Sequence, residues 1–298
     1  MTQGFKDGTN ISMMAITFWD LVKCLTGLVH RMFGPISLAA PGLATSWRNI
    51  TFPYVEYTPV FASYVSYALA TYVSVERCLC VSKPFTVKSM FTPKFTITMV
   101  TLISCVVFGA YLVMYFVYEI AYQFSPYLNE TVAFYRYNAF YYNNEFIVML
   151  YYKCVAIILP FSSFAILCLC SLTTLYFLRQ SSRFLAGREH SSKVAPARFA
   201  SGISQREKQV AKMLLAVVIV NIGNLFPRIV FYVGQLVEPE FYVLRRYHNF
   251  FMTVAKFLFI LDFTNASVNF FIFFSLSSAF KATFYSTFGS SKYAVCKK

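Results

Sequence analysis

Residues 95–118 read FTITMVTLISCVVFGAYLVMYFVY, an apolar run with no charged side chain between Lys94 and Glu119. A helix needs roughly 20 apolar residues to cross the hydrocarbon layer of a bilayer, and this run is long enough. A second window, residues 154–178, reads CVAIILPFSSFAILCLCSLTTLYFL and lies uncharged between Lys153 and Arg179. No water reaches exposed backbone groups inside lipid, so windows of this kind must be helical. Composition agrees over the whole chain: of 298 residues 58% are apolar and 13% charged, with a mean hydropathy of +0.56, far from the values of a soluble domain. The fold class that follows is all-α: one polytopic transmembrane helical bundle over residues 1–298.

Working outward from these two windows, apolar periodicity places six spans, at Ile11 to Met32, Ile50 to Val81, Phe95 to Tyr118, Phe146 to Leu178, Gln209 to Leu236 and Phe250 to Phe274. From Ser275 to Phe284 the residues Leu276, Phe280 and Phe284 recur every fourth position beside Lys281, the pattern of a short helix lying on a membrane surface. Gln180 to Gln205, rich in Ser, Gly and basic residues, reads as a mobile loop. The connection from Tyr118 to Glu145 is crowded with Tyr and Phe.

The net charge of +14 has to be read against topology. Most Lys and Arg residues fall at Lys6, between Arg77 and Lys94, between Arg179 and Lys212, and from Lys281 to Lys298, which are alternate connections. Basic residues gather on the cytoplasmic side, so these segments and both termini are expected there. Topology therefore accounts for the excess, and nucleic acid is not an expected partner. No signal peptide is visible. Two sequons, Asn49-Ile50-Thr51 and Asn129-Glu130-Thr131, fall on the opposite, external side and are the glycosylation candidates. Asn10-Ile11-Ser12 and Asn265-Ala266-Ser267 would be cytosolic or intramembrane and are discounted.

Eight cysteines in so apolar a chain read as soft packing residues. Cys78-Leu79-Cys80 and Cys168-Leu169-Cys170 lack partners at metal-site spacing, so no zinc site is expected. Residues Ala121 to Tyr152 contain no Cys, which excludes a disulfide from that loop. Gly-x-Ser-x-Gly, His-Glu-x-x-His and a phosphate-cradling loop are all absent, and three scattered histidines form no constellation, so the chain does not read as an enzyme.

Polar residues inside spans carry the chemistry. Glu56, Ser63, Ser66, Ala70 and Arg77 recur at steps of three, four or seven along one face of the second span, and Glu76-Arg77-Cys78 ends it. A lone Arg there would be a membrane-boundary charge. With Glu76 before it and Glu207 at the start of the fifth span, Arg77 also fits a charge held across two helices and released when they part. Asn221, Asn224 and Arg228 share a face of the fifth span beside Pro227, and Pro160 lies in the fourth; both prolines are expected to bend their helices. Arg228 near mid-span costs about 2.5–3.5 kcal/mol unless it pairs, and it reads as a ligand contact or a counter-charge. Asp262, Asn265 and Asn269 step along the sixth span, and Asp20 in the first faces them as the opposite wall. Two readings of this interior stay open: a hydrogen-bonded packing network, or a small-cation site or proton-sensitive switch.

Together these residues resemble the rhodopsin-like, class A family of G-protein-coupled receptors, from Lys6 to about Phe284. Glu76-Arg77-Cys78 with Lys83-Pro84-Phe85 is similar to the Asp/Glu-Arg-Tyr motif and the proline after it. Pro160 and Pro227 match the prolines of the family's fifth and sixth helices, and Asn265 to Phe273 resembles the segment around Asn-Pro-x-x-Tyr. Asp20 and Ser66 fall where the family carries its buried aspartate and sodium-site serine, which implies a sodium ion near Asp20 and no other cofactor. The departures are Cys78 for Tyr, Leu225 where a Trp precedes Phe226-Pro227, and Phe270 and Phe273 in the last motif. The aromatic, disulfide-poor sequence looks like divergent invertebrate receptors, of molluscan chemosensory or peptide-receptor type.

The resemblance implies six spans of a seven-helix fold lacking the first, with residues 1–10 as the first cytoplasmic loop, 11–274 as the spans and 275–298 as surface helix and tail. It implies a multi-pass plasma-membrane receptor that transduces an extracellular peptide or small molecule to a heterotrimeric G protein. Glu76, Arg77 and Glu207 would form the coupling switch. Glu56, Arg228 and Asp262 would face the ligand, and Asp20, Ser66, Asn265 and Asn269 would form the polar core. The rival readings are a transporter or channel, whose spans also carry polar residues, and a truncated receptor that does not signal.

Overall fold

The computed structural model describes residues 8–82, 90–189, 205–238, 240–241 and 245–276, with Lys281 and Tyr285 beyond them. Helix α1, Gly8–Arg31, has two faces that follow directly from its sequence. Met14, Phe18, Leu21, Leu25 and Leu28, spaced by three and four, are exposed, while Ser12, Ile16, Asp20, Lys23 and His30 form the buried row opposite. At Gly27, on that buried row, a Cβ would lie 2.4 Å from the Phe263 ring, so glycine leaves room for that ring against the helix. Short helices α2 (Phe33–Ser37) and α3 (Pro41–Thr51) follow, then a π-turn, Phe52–Glu56. Pro53 cannot donate to the helical ladder, which is where the wider turn sets in.

Helix α4, Thr58–Ser82, packs against every other long helix of the bundle. Among the described residues, five helices are long and apolar enough to cross a membrane, in the segments Asn10–Ser37, Pro93–Phe116, Ala139–Phe177, Leu214–Val237 and His248–Ile272. Because α4 is rich in Ser, Thr and Tyr, it is not among them. Neighbouring helices surround it instead of lipid. Some of its hydroxyls are satisfied within the helix, Ser63 Oγ donating to the Pro59 carbonyl and Thr71 Oγ1 to that of Tyr67.

Helix α5, Pro93–Tyr111, starts where Thr92 accepts a hydrogen bond from the Phe95 N–H and Pro93 takes the first turn, and it ends in a 3₁₀ turn, Leu112–Phe116. The aromatic connection after it is a hairpin of β1, Tyr118–Ser125, and β2, Glu130–Tyr137, in register from Tyr118↔Tyr137 to Ser125↔Glu130. Asn129 closes the turn with φ 51°, a left-handed conformation that Asn tolerates. Non-covalent contacts anchor the hairpin to α3 and the π-turn. Asn49 Nδ2 donates to the Ala133 carbonyl at 2.8 Å, the Ala133 N–H donates to Ser46 Oγ, and Phe52 stacks on Tyr135. The Tyr57 and Tyr118 hydroxyls lie 3.1 Å apart, and burial pushes the Tyr118 phenol well up, so it stays protonated.

Helix α6, Ala139–Glu189, runs well past both ends of the expected fourth span. The backbone expected to be a loop from Gln180 is helical to Glu189, since residues such as Leu185, Ala186 and Arg188 favour helix. Residues 190–204 lie outside the described residues. Helices α7 (Gln205–Val237) and α8 (His248–Leu276) complete the bundle. Pro160 and Pro227 sit inside helices that continue through them, and the break in helical dihedrals within α6 falls at Asn144. Most of the expected surface helix lies outside the described residues. Lys281 and Tyr285 both rest against the Phe274 ring.

Candidate functional site

Four polar clusters lie along α4. At the end nearest the hairpin, Glu56 is held by α1: its carboxylate accepts from Arg31 Nη2 at 3.1 Å and lies 3.2 Å from His30 Nε2. His30 Nδ1 is 2.8 Å from Thr51 Oγ1. Glu56 was expected to face a ligand together with Arg228 and Asp262, but its partners lie on α1, because the π-turn at Pro53 sets it against the end of that helix.

Two turns further along α4, Arg228 of α7 and Asp262 of α8 form a direct, buried ion pair. Arg228 Nη1 donates to Tyr64 Oη at 3.2 Å and its guanidinium lies over the Tyr64 ring, 5.2 Å from the centroid. Tyr67 Oη donates to Asp262 Oδ1 at 2.9 Å, and the Tyr64 and Tyr232 hydroxyls are hydrogen bonded to each other. Tyr111 stacks on Tyr64 from α5. The mid-span Arg is therefore already paired, so a ligand bearing an acid would have to compete with Asp262 for it. Leu225, one turn before Arg228, is fully buried in the same row, while Phe226 is exposed.

Below this pair, Asp20, Ser66, Asn221, Asn265 and Asn269 come together from four helices. Ser66 Oγ donates to Asp20 Oδ1 at 3.4 Å, Asn269 Nδ2 to Asp20 Oδ2 at 3.0 Å, and Asn265 Nδ2 to Asn221 Oδ1 at 3.3 Å. The sodium ion expected near Asp20 meets a competitor from within the chain: Lys23 Nζ lies 2.9 Å from Asp20 Oδ1. Tyr67 is within electrostatic reach of both Asp262 and Asp20 and links the two clusters. Sequence reasoning missed Lys23, His30 and the tyrosines. For Lys23 the signal was there, since an acid and a base three residues apart on a helix are neighbours.

At the far end, Arg77 Nη2 donates to Glu76 Oε1 at 3.2 Å, with Glu76 buried and Arg77 partly exposed. Arg77 lines a small cleft with Val73 and Ser74 of α4, Ser171 and Thr174 of α6, and Leu214 and Val218 of α7. Glu207 lies in the first turn of α7, and its side chain is outside the described residues. Among the described residues no group of three or more His, Cys, Asp or Glu is placed to hold a metal ion.

A helical bundle with buried ion pairs and an arginine cleft at one end admits both receptors and transporters. The comparison with known families decides between them: residues 6–291 match the serpentine-type seven-transmembrane GPCR chemoreceptor family Srw. The chain belongs to the Srw family. No curated protein is similar enough to match it. An Srw chain is a multi-pass membrane receptor whose activity is signal transduction from a chemical ligand, and the family is not enzymatic. Receptor activity, which the order of motifs implied, is what the match supports, and it gives no support to a transporter.

Proposed function

We propose that this receptor signals to a heterotrimeric G protein at the Arg77 cleft, and that the Arg228–Asp262 clasp is the element its ligand acts on. The chain is read as one rhodopsin-like receptor domain in the plasma membrane, with the hairpin outside and both termini in the cytoplasm. The observation that carries the ligand reading is the clasp itself: a buried ion pair joins α7 to α8 one residue past Pro227. A carboxylate on a ligand competes with Asp262 for the guanidinium, and the tyrosines around it favour an aromatic body. Loosening α7 from α8 at that level lets α7 move at the Arg77 end.

In cells expressing the full chain, small aromatic carboxylic acids are expected to give a second-messenger response that their primary amides lose. Equal responses to acids and amides would sink the reading. For orientation, Asn129 is exposed at the hairpin tip, whereas the Asn49 amide already donates to Ala133. Asn129 is therefore the residue we assign a glycan. Glycosidase treatment should speed the chain's migration on a gel, and Asn129→Gln should remove that shift. A shift that persists in Asn129→Gln places the glycan elsewhere.

A further inference from the structure

Lys23 lies on the inward row of α1, one turn beyond Asp20, and is enclosed more completely than its partner: 0% exposed, against 5% for Asp20. Lysine is rarely buried so fully, because the ammonium gives up strong hydration, and at membrane depth it persists where it is paired. Its partner is the Asp20 carboxylate at 2.9 Å, which also receives Ser66 from α4 and Asn269 from α8. Three helices thus converge on one carboxylate, and the balancing charge is covalently part of the chain.

The oxygens at this junction would otherwise suit a hard monovalent cation. Asp20, the Ser66 hydroxyl and the amide oxygens of Asn265 and Asn269 are all oxygen donors, and the last two are buried without a hydrogen-bond partner. With Lys23 present the set does not fit a metal ion. A second cation at Asp20 would face an ammonium across a few ångströms of poorly screening protein, and the carboxylate has no charge left to balance it. The neighbouring pair, Arg228 with Asp262, is closed in the same way.

We propose that Lys23 is a built-in counter-ion that takes the place of sodium at Asp20, so that the junction of α1, α4 and α8 is held independently of sodium. Removing the ammonium exposes a latent sodium site. Thermal unfolding of the purified full chain tests this in sodium chloride against N-methyl-D-glucamine chloride at equal ionic strength. The native chain is expected to have the same Tm in both. Lys23→Ala should gain a saturable, sodium-specific rise in Tm that the double variant Lys23→Ala/Asp20→Asn loses. A saturable sodium-specific rise in the native chain overturns the proposal, and so does a folded Lys23→Ala that is indifferent to sodium. If Lys23→Ala cannot be purified, the sodium titration of the native chain decides, with uncharged Lys23→Met/Asp20→Asn as the sodium-blind control. The readout involves neither ligand nor G protein, so its result is independent of the function proposed above.

Discussion

Arg228→Met is expected to cost the folded receptor about 3–5 kcal/mol, because it strands the Asp262 carboxylate inside the bundle. Asp262 would keep one donor, Tyr67 Oη, while Tyr64 Oη would lose the guanidinium it accepts from. The native pair is enclosed almost completely, with side chains 6% and 3% exposed, so water cannot replace the missing partner. Removing both charges together is a different experiment. Arg228→Met/Asp262→Leu leaves no unpaired charge, and replacing a buried pair with apolar residues of similar size is often neutral or stabilising. Most of the lost stability should return in the double variant. Thermal unfolding in detergent, with surface expression as a second measure, separates the cases. A single variant as stable as the native chain would mean that the pair is hydrated and not a clasp. A double variant no better than the single would mean that packing around the guanidinium, not its charge, holds α7 to α8.

What could be read in advance divides by whether the information is local. Apolar periodicity is local, and spans drawn from it fall close to α1, α5, α7 and α8. The hairpin escaped because its alternation is hidden: Tyr122 and Phe124 are exposed on β1, Phe134 and Tyr135 on β2, and apolar residues occupy both faces. Ion partners are not local. Arg228 could be recognised as expensive, yet choosing Asp262 over Glu56 depends on how α4, α7 and α8 are rotated about their axes. Glu56 went to Arg31 and His30 because a π-turn changed the phase of the chain ahead of α4. Lys23 was missed for another reason: its meaning lay in Asp20, three residues away.

Glu76→Gln is expected to raise basal signalling roughly 5–30-fold, the ratio change that a restraint of one or two kcal/mol produces. Arg77→Ala, in contrast, should abolish coupling, because it empties the cleft of its only described cation. The two variants part company because their side chains do different things in the same place. Glu76 and Arg77 are adjacent on α4, so their 3.2 Å bond holds the guanidinium along that helix and does not tie α4 to α7. The acid loses its charge in Glu76→Gln, and the guanidinium is then held by a weaker, neutral acceptor and turns more readily toward the cleft. A restraint across helices would have to come from α7, whose first turn carries Glu207. Glu207→Ala measures that contribution separately. If it alone raises basal signalling, the restraint runs between helices and the Glu76 bond is incidental. A Glu76→Gln receptor with unchanged basal output at equal surface expression removes Glu76 from the switch. If Glu76→Gln and Glu207→Ala multiply when combined, each acts on Arg77 through its own contact, since independent restraints add in free energy.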